Sequence, residues 1–292
     1  MLGSALRQAL AARNRRVLQL VRQSPAPAGQ LQWNPTADPV VPDLERLEDL
    51  KAAIHLSGAN VAAQRWTPAY KREMTLSRVH STRSLAATLA RLRRPPEALL
   101  VASAVGFYGD RADELLDETF APGSGFLADL CREWEAAAQP AREAGIRVVH
   151  LRFGVVLGPG PGALSRMVPL FRLGLGGRLG AGKQWMSWIS LADALSAILF
   201  ILDTPTLSGP VNLTAPNPVT NAQFTRCLGR AVHRPAIFAV PAFALRLALG
   251  EMASEALLAS ARAYPSRLTS AGFRFTHPTV DEALPAALAT PS

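Results

Sequence analysis

Short, almost uniformly apolar runs alternate with long helical patterns along the first half of this 292-residue chain, and few folds satisfy that order. The runs "VLQLV" (17–21), "KAAIHLSG" (51–58), "EALLVASAVG" (97–106) and "IRVVHLRFG" (146–154) read as strands. Between them, residues 68–93 place Val79, Leu85, Leu89 and Leu92 on one helical side, with Pro68 suited to the first turn. The segment "GFLADLCREWEAAAQPARE" reads as a second long helix, with Phe126, Leu130, Trp134 and Ala138 in register. Strands parted by helices need crossover connections, which give a parallel sheet covered on both faces. Strands buried on both sides are apolar throughout rather than alternating, as these are.

Ahead of the first strand, "LGSALRQALAAR" aligns Leu2, Ala5, Leu6, Ala9 and Leu10 on one stripe. Beyond residue 154 the texture changes to the glycine-rich loops "GVVLGPGPGAL" and "LGLGGRLGAGKQW". "ISLADALSAILFILD" is helical, "PVNLTA" is a short strand, and "TNAQFTRCLGRAV" is a helix led by a Thr/Asn cap. From Pro235 the tail is mostly helical and ends in "PTVDEALPAAL". The expected fold is therefore α/β: a Rossmann-type doubly wound parallel sheet over residues 1–165, then a small, mostly helical substrate-side domain over 166–292. Some segments of the second part are expected to return to the first.

An apolar fraction of 49% with 18% charged residues suits a packed core. No run of eighteen apolar residues exists, and "IFAVPAFALRLALG" is broken by Pro241 and Arg246, so no membrane partner is expected. Cys131 and Cys227 are far apart without metal-like spacing, which fits a reduced, cytoplasmic protein. The five histidines are scattered and predict no metal site. The net charge of +9 is almost all arginine, dispersed without interleaved aromatics, so nucleic acid is not expected either. Arg7, Arg13, Arg15, Arg16 and Arg22 precede the first acid, Asp38, in the manner of a mitochondrial presequence. The strand-like "VLQLV" inside that stretch favours a structural role, and a mitochondrial or nuclear location stays open for a eukaryotic source.

The opening "MLGSAL" resembles the back half of a dinucleotide-binding unit, in which a strand leads through a glycine turn into a helix whose N-terminus faces the pyrophosphate. Gly3 starts such a helix, and Arg22 ends the next strand about 20 positions later, where the ribose is read. An acid there suits the 2′-hydroxyl of NAD, whereas arginine suits the 2′-phosphate of NADP.

Several motifs extend that resemblance from Met1 to about Leu288. They are "HLSGANV" (55–61), "RWTPAYKREMTLSRVHSTRSL" (65–85), "ASAVGFYGD" (102–110), "GFLADLCREWE" (125–135), "VVHLRFGVVLGPGPGAL" (148–164), "FRLGLGGRLGAGKQWMSWISLADAL" (171–195) and "GPVNLTAPNPVTNAQF" (209–224). On these residues the chain resembles the extended short-chain dehydrogenase/reductases. It is more closely similar to the atypical epimerase-family branch, named NAD-dependent epimerase/dehydratase, which carries a C-terminal domain of unknown function. The resemblance implies an NADP(H) cofactor and an unidentified small-molecule substrate, with a homodimer left open. Family members begin with a strand and a G-x-x-G-x-x-G turn, which this chain matches only from its last three positions, so the expectation is a start at an internal methionine of a longer protein. By position, the resemblance assigns the cofactor to Gly3, Val21, Arg22, Leu56, Ser57, Glu73, Arg78 and Val156. For Leu56, Ser57 and Val156 plain core packing explains the residue as well, and Arg78 reads equally as a solvated helix arginine.

The superfamily's Tyr-x-x-x-Lys pair is missing, since none of Tyr70, Tyr108 or Tyr264 has lysine four residues later. Its place on the helix holds Phe126 or Leu127 and Leu130 or Cys131. Ser103 and Tyr108 are the substitute catalytic candidates, with Asp129 and Cys131 behind them, and each also has a structural reading. Lys183, Gln184, Trp185 and Trp188, with Arg152 and Arg166, are candidate walls of a substrate pocket. Two functions follow: an NADP(H)-dependent oxidoreductase or epimerase, or a non-catalytic NADPH-binding sensor or interaction protein.

Overall fold

In a computed structural model of the chain, residues 2–35, 40–41 and 43–289 are described. Helix α1 (Leu2–Ala12) leads into strands β1 (Gln19–Val21), β2 (Gln30–Gln32) and β3 (Ala52–His55). Helices α2 (Pro68–Thr75) and α3 (Ser81–Ala90) follow, joined by a π-helical turn at Leu76–His80. Next come β4 (Ala98–Ala104), β5 (Leu115–Leu116), α4 (Phe126–Ala136), α5 (Gln139–Glu143), β6 (Arg147–Phe153) and β7 (Val155–Leu157). The second half holds α6 (Ala163–Arg172), β8 (Gly177–Leu179), β9 (Trp185–Met186), β10 (Trp188–Ser190), α7 (Leu191–Leu202), β11 (Gly209–Leu213), β12 (Val219–Thr220) and α8 (Asn221–Ala231). It closes with β13 (Phe238–Val240), α9 (Ala242–Leu249), a π-helical turn at Ala253–Leu257, β14 (Arg262–Ala263), α10 (Ser266–Ser270) and α11 (Val280–Leu288).

The central sheet runs β11-β6-β4-β3, every pair parallel, which is the α/β architecture the alternating pattern predicts. Its two faces divide β4 by alternation. Leu99 and Val101 pack with Leu85 and Leu89 of α3 and Trp134 of α4. Ala98 and Leu100 pack with Leu6 and Leu10 of α1 and Ala194, Ile198 and Ile201 of α7. Burying such a leucine or valine is worth roughly 1.5–3 kcal/mol, so the sheet centre is the main source of stability. Strand β11 and helix α7 come from beyond residue 165 yet complete this sheet and its cover. A further core gathers α6, α8 and α11 around Trp188 and Phe224.

Three local findings differ from the sequence reading. The helix over 125–143 is two helices, because Pro140 has no N–H to continue the ladder and α4 ends first. The helix over 68–93 contains the π-helical turn, which widens it around Arg78. Strand β2 was not foreseen, since its three residues, Gln-Leu-Gln, carry almost no apolar signal. It pairs in parallel with β1, and Leu20, Leu31 and Trp33 join the same core as Leu99 and Val101. Among the described residues this pair is not hydrogen-bonded to the central sheet, and the edge of β3 away from β4 carries no strand.

Candidate functional site

Parallel strands end together, and the sheet register sets His55 beside Val101, Ala104 beside Phe153 and Phe153 beside Leu213. Ligands of open α/β sheets bind at this carboxyl edge. The β1–β2 pair reaches it through Trp33, whose N–H donates to the Val21 carbonyl at 2.9 Å and whose ring meets His55 edge-on at 5.7 Å. Val21, Arg22, Leu56 and Ser57 are thereby brought to one end of the molecule. Arg22 is exposed and makes no ion pair among the described residues. Leu2, Leu56 and Val156 pack against one core cluster, which draws the start of α1 and strand β7 to the same region. Gly3 lies in the first turn of α1, and a Cβ built there meets nothing within 4 Å. Met1 falls outside the described residues.

Arg78 is only 7% exposed and has no carboxylate partner among the described residues. Its guanidinium donates to the carbonyls of Ala59 at 2.8 Å and Met74 at 3.3 Å, and lies 5.1 Å from the Trp134 ring. Burial lowers its pKa, with Cys131 and Tyr70 pulling the other way. The loop after β3 is pinned further where Ala59 N–H donates to Ser77 Oγ at 3.0 Å and Trp66 Nε1 to the Val61 carbonyl at 2.8 Å. Tyr70 donates to the Asn60 carbonyl. Gly58 packs so close that an added Cβ would sit 3.0 Å from Arg78 Cζ. Glu73 is exposed on α2 and is not drawn into this cluster.

Ser103 and Tyr108 belong to a buried polar network. Glu135 receives Arg152 through two bonds, Nε to Oε1 at 2.8 Å and Nη2 to Oε2 at 2.9 Å, and accepts Ser103 Oγ at 2.8 Å. Arg152 Nη1 donates to the Tyr108 hydroxyl at 3.0 Å, and that hydroxyl donates to Asn212 Oδ1 at 2.8 Å, with the Asp117 carbonyl at 3.0 Å. The Arg152 Cζ also stands 3.5 Å from the Phe107 ring centre. Tyr108 is 0% exposed, and burial raises its pKa against the opposing pull of Arg152. Desolvation disfavours the Arg152 charge, but Glu135 outweighs it and the net shift is upward. Every hydroxyl here is engaged inside the protein. Cys131 is buried with its pKa raised to about 11 by desolvation and then by Glu135, so it stays a thiol. Asp129 is an exposed partner of Arg132 at 3.0 Å.

Glu135 and Asn212 were not singled out from the sequence. A signal existed: Arg152 interrupts an apolar strand, and a buried guanidinium must be met by a carboxylate or, as at Arg78, by backbone carbonyls. Glu135 sits four residues after Cys131, at the margin of the apolar face of α4. Glu255 is another such residue. Its carboxylate accepts the N–H groups of Phe126 at 2.9 Å and Leu127 at 2.8 Å, capping α4 from the π-helical turn at Ala253–Leu257. Of the expected pocket walls, Trp188 is buried in the α6/α8/α11 core and Trp185 lies under Arg262 at 4.2 Å. Gln184 bonds the carbonyls of Leu179 and Leu257 at 3.1 Å, Arg166 bonds the Ala62 carbonyl, and Lys183 is exposed.

These residues suit an anionic dinucleotide. The first turn of α1 is open at Gly3, and two arginines without counter-ions among the described residues, one exposed and one buried, belong to the segments that meet at the carboxyl edge. No group of three metal-ligating side chains occurs among the described residues. The molecule is thus a Rossmann-type α/β protein without the Tyr/Lys pair in its sequence. Comparison with known proteins shows that the chain belongs to the NAD dependent epimerase/dehydratase family, whose pattern matches residues 1–213, and residues 240–287 match a domain of unknown function, DUF1731. The epimerase family protein Mb2239 of Mycobacterium bovis is 49% identical over 97% of this chain and 93% of its own. The human epimerase family protein SDR39U1, solved with NADPH, superposes with a TM-score of 0.88 at 30% identity, over 98% of this chain and 95% of that one. A nucleoside-diphosphate sugar epimerase from Corynebacterium glutamicum gives 0.81 at 33% identity, over 99% of this chain but 56% of its own.

Proposed function

We propose that this chain binds NADP(H) and acts as an NADP(H)-dependent oxidoreductase or epimerase on a small molecule. The observation that carries the cofactor choice is Arg22: a guanidinium at the carboxyl end of β1, exposed and without an ion pair among the described residues, where an NAD-selective protein has an acid. The human relative solved with NADPH supports the same choice. In this reading Gly3 lets the pyrophosphate approach the free N–H groups of α1, and Leu56 and Ser57 flank the adenosine. Arg78 adds a fixed positive charge behind the loop after β3. Bound nicotinamide supplies or accepts hydride. Proton exchange falls to water or a substrate group, because the Tyr108 hydroxyl is spent on Asn212 and Arg152. That same burial, with Phe126 or Leu127 and Leu130 or Cys131 at the superfamily's Tyr/Lys positions, favours a second reading, a cofactor-binding protein without turnover.

Calorimetric titration with NADPH and NADH is the test. The expected result is preference for NADPH, with Arg22→Glu weakening NADPH by on the order of 2 kcal/mol, about thirtyfold, and leaving NADH nearly unchanged. Binding of neither nucleotide overturns the proposal, and an unchanged preference in Arg22→Glu overturns the role of Arg22. Tight NADPH binding without NADPH oxidation across a panel of carbonyl compounds decides for the second reading.

A further inference from the structure

We infer that the surface formed by the end of α6, the β8–β13 ribbon and α9 docks on an anionic membrane surface. This inference is independent of the proposed cofactor chemistry. Six large apolar side chains on or next to these elements are exposed: Leu173, Leu175, Ile237, Phe238, Phe243 and Leu247. Ile237 is 79% exposed, Leu247 77%, and Leu173 and Phe243 72%. Helix α9 is the clearest case. It buries Leu245 against the protein, while Phe243 and Leu247, one turn apart, form an apolar opposite side. A helix that is apolar on both sides but covered on one lacks a partner on the other.

The three elements form one body. Phe238 pairs with Gly177 in the ribbon, and a Cβ at Gly177 would collide with the Phe238 carbonyl. Arg234 Nε donates to the Arg172 carbonyl at 3.2 Å, tying the approach to β13 to the end of α6. Gly180, just past β8, adjoins Ala242 at the start of α9.

Charge identifies the occupant. No acid occurs between Glu143 and Asp193 or between Asp203 and Glu251, so the segments that build this face carry only cations. Arg172 and Arg246 are exposed and without an ion pair among the described residues. The nearest acids in sequence or contact are already taken: Glu251 by Lys71, Glu255 by the α4 cap, and Asp281 by Arg230 at 2.7 Å. A two-fold pairing of identical copies would set these arginines against one another, which opposes self-association. A folded acidic partner would need a pocket for each projecting side chain. A fluid acyl layer takes them without complementary shape, while anionic headgroups meet the arginines. No helix among the described residues is long and apolar enough to cross a membrane, so the contact is peripheral. Pro241 and Arg246 break a spanning segment but leave a peripheral contact unaffected.

Co-flotation of the full chain with vesicles of phosphatidylcholine, with and without about one third phosphatidylglycerol, tests this. Binding is expected to the anionic vesicles only, weakening by about fivefold for each of Arg172→Gln and Arg246→Gln and falling with salt. The pair Phe243→Ser with Leu247→Ser is expected to weaken it by about a hundredfold or more, the transfer cost of two apolar side chains. These side chains are about three-quarters exposed, so the variants should keep the parent's thermal midpoint, and a shifted midpoint sends the test to the arginine variants alone. Absence of binding to anionic vesicles overturns the inference. So does binding that survives the Phe243/Leu247 pair in a folded protein, or sedimentation showing a dimer that this pair dissolves while vesicles are ignored.

Discussion

At the residue scale, the buried charges and imidazoles set how the protein responds to its solvent. Arg152 was legible as an anomaly in an apolar strand, but its partner was not, because Glu135 lies on another element and only packing makes them meet. His55 and His150 are buried, and desolvation lowers each pKa to about 4, with Glu135 partly offsetting this for His150. Unfolded histidines titrate near 6.5, so between about 6.5 and 4 the unfolded chain binds more protons than the folded one. Stability therefore rises with pH in that window and is lost as pH falls through it, by up to about 1.4 kcal/mol per pH unit for each histidine. Glu118, whose pKa burial raises, works in the opposite direction near the bottom of the window. Urea midpoints measured from pH 7 to 4.5 should drop steadily, and His55→Asn should flatten that slope by roughly half. A parent midpoint independent of pH would contradict the burial of both rings.

At the element scale, strands and helices divide by how completely they are paired. β4 is bonded on both sides, by β3 and β6, and most of its residues are buried. β3 is bonded on one side, and the β1–β2 pair stands apart from the sheet. Amide exchange followed by mass spectrometry should leave β4 and β6 protected longest, while β1, β2 and the outward amides of β3 exchange orders of magnitude sooner. Equal protection of β1 and β4 would show that the pair is bonded more fully than its contacts indicate. The strands of the central sheet were readable because apolar runs of their length have few alternatives. β2 and the two-residue strands were not, since their pairing comes from neighbours rather than from their own residues.

At the scale of the whole molecule, the two halves are interleaved. β11 and α7, from the second half, complete the sheet and core begun by the first. Glu255 caps α4, and Lys71 bonds Glu251, which fastens the C-terminal segment to the first half. Calorimetric heating should accordingly show one cooperative transition rather than two. With NADPH at about a hundred times its dissociation constant, the midpoint should rise by roughly 4 °C. Two separated transitions would mean that the halves fold alone. An unmoved midpoint would count against the cofactor.

The order of apolar runs and helical stripes was enough to specify a parallel α/β sheet, because strands buried on both faces and joined by helices have few other ways to hide their apolar atoms. The family motifs were likewise local, and so were Gly3 and Arg22. What the tertiary structure alone decided was the state of each candidate. Tyr108 became a buried member of a network, Arg78 a desolvated cation behind a loop, and α9 a helix with an uncovered apolar side. Burial and pairing depend on atoms that lie far apart in the chain, and no local pattern encodes which distant side chain arrives to satisfy a charge.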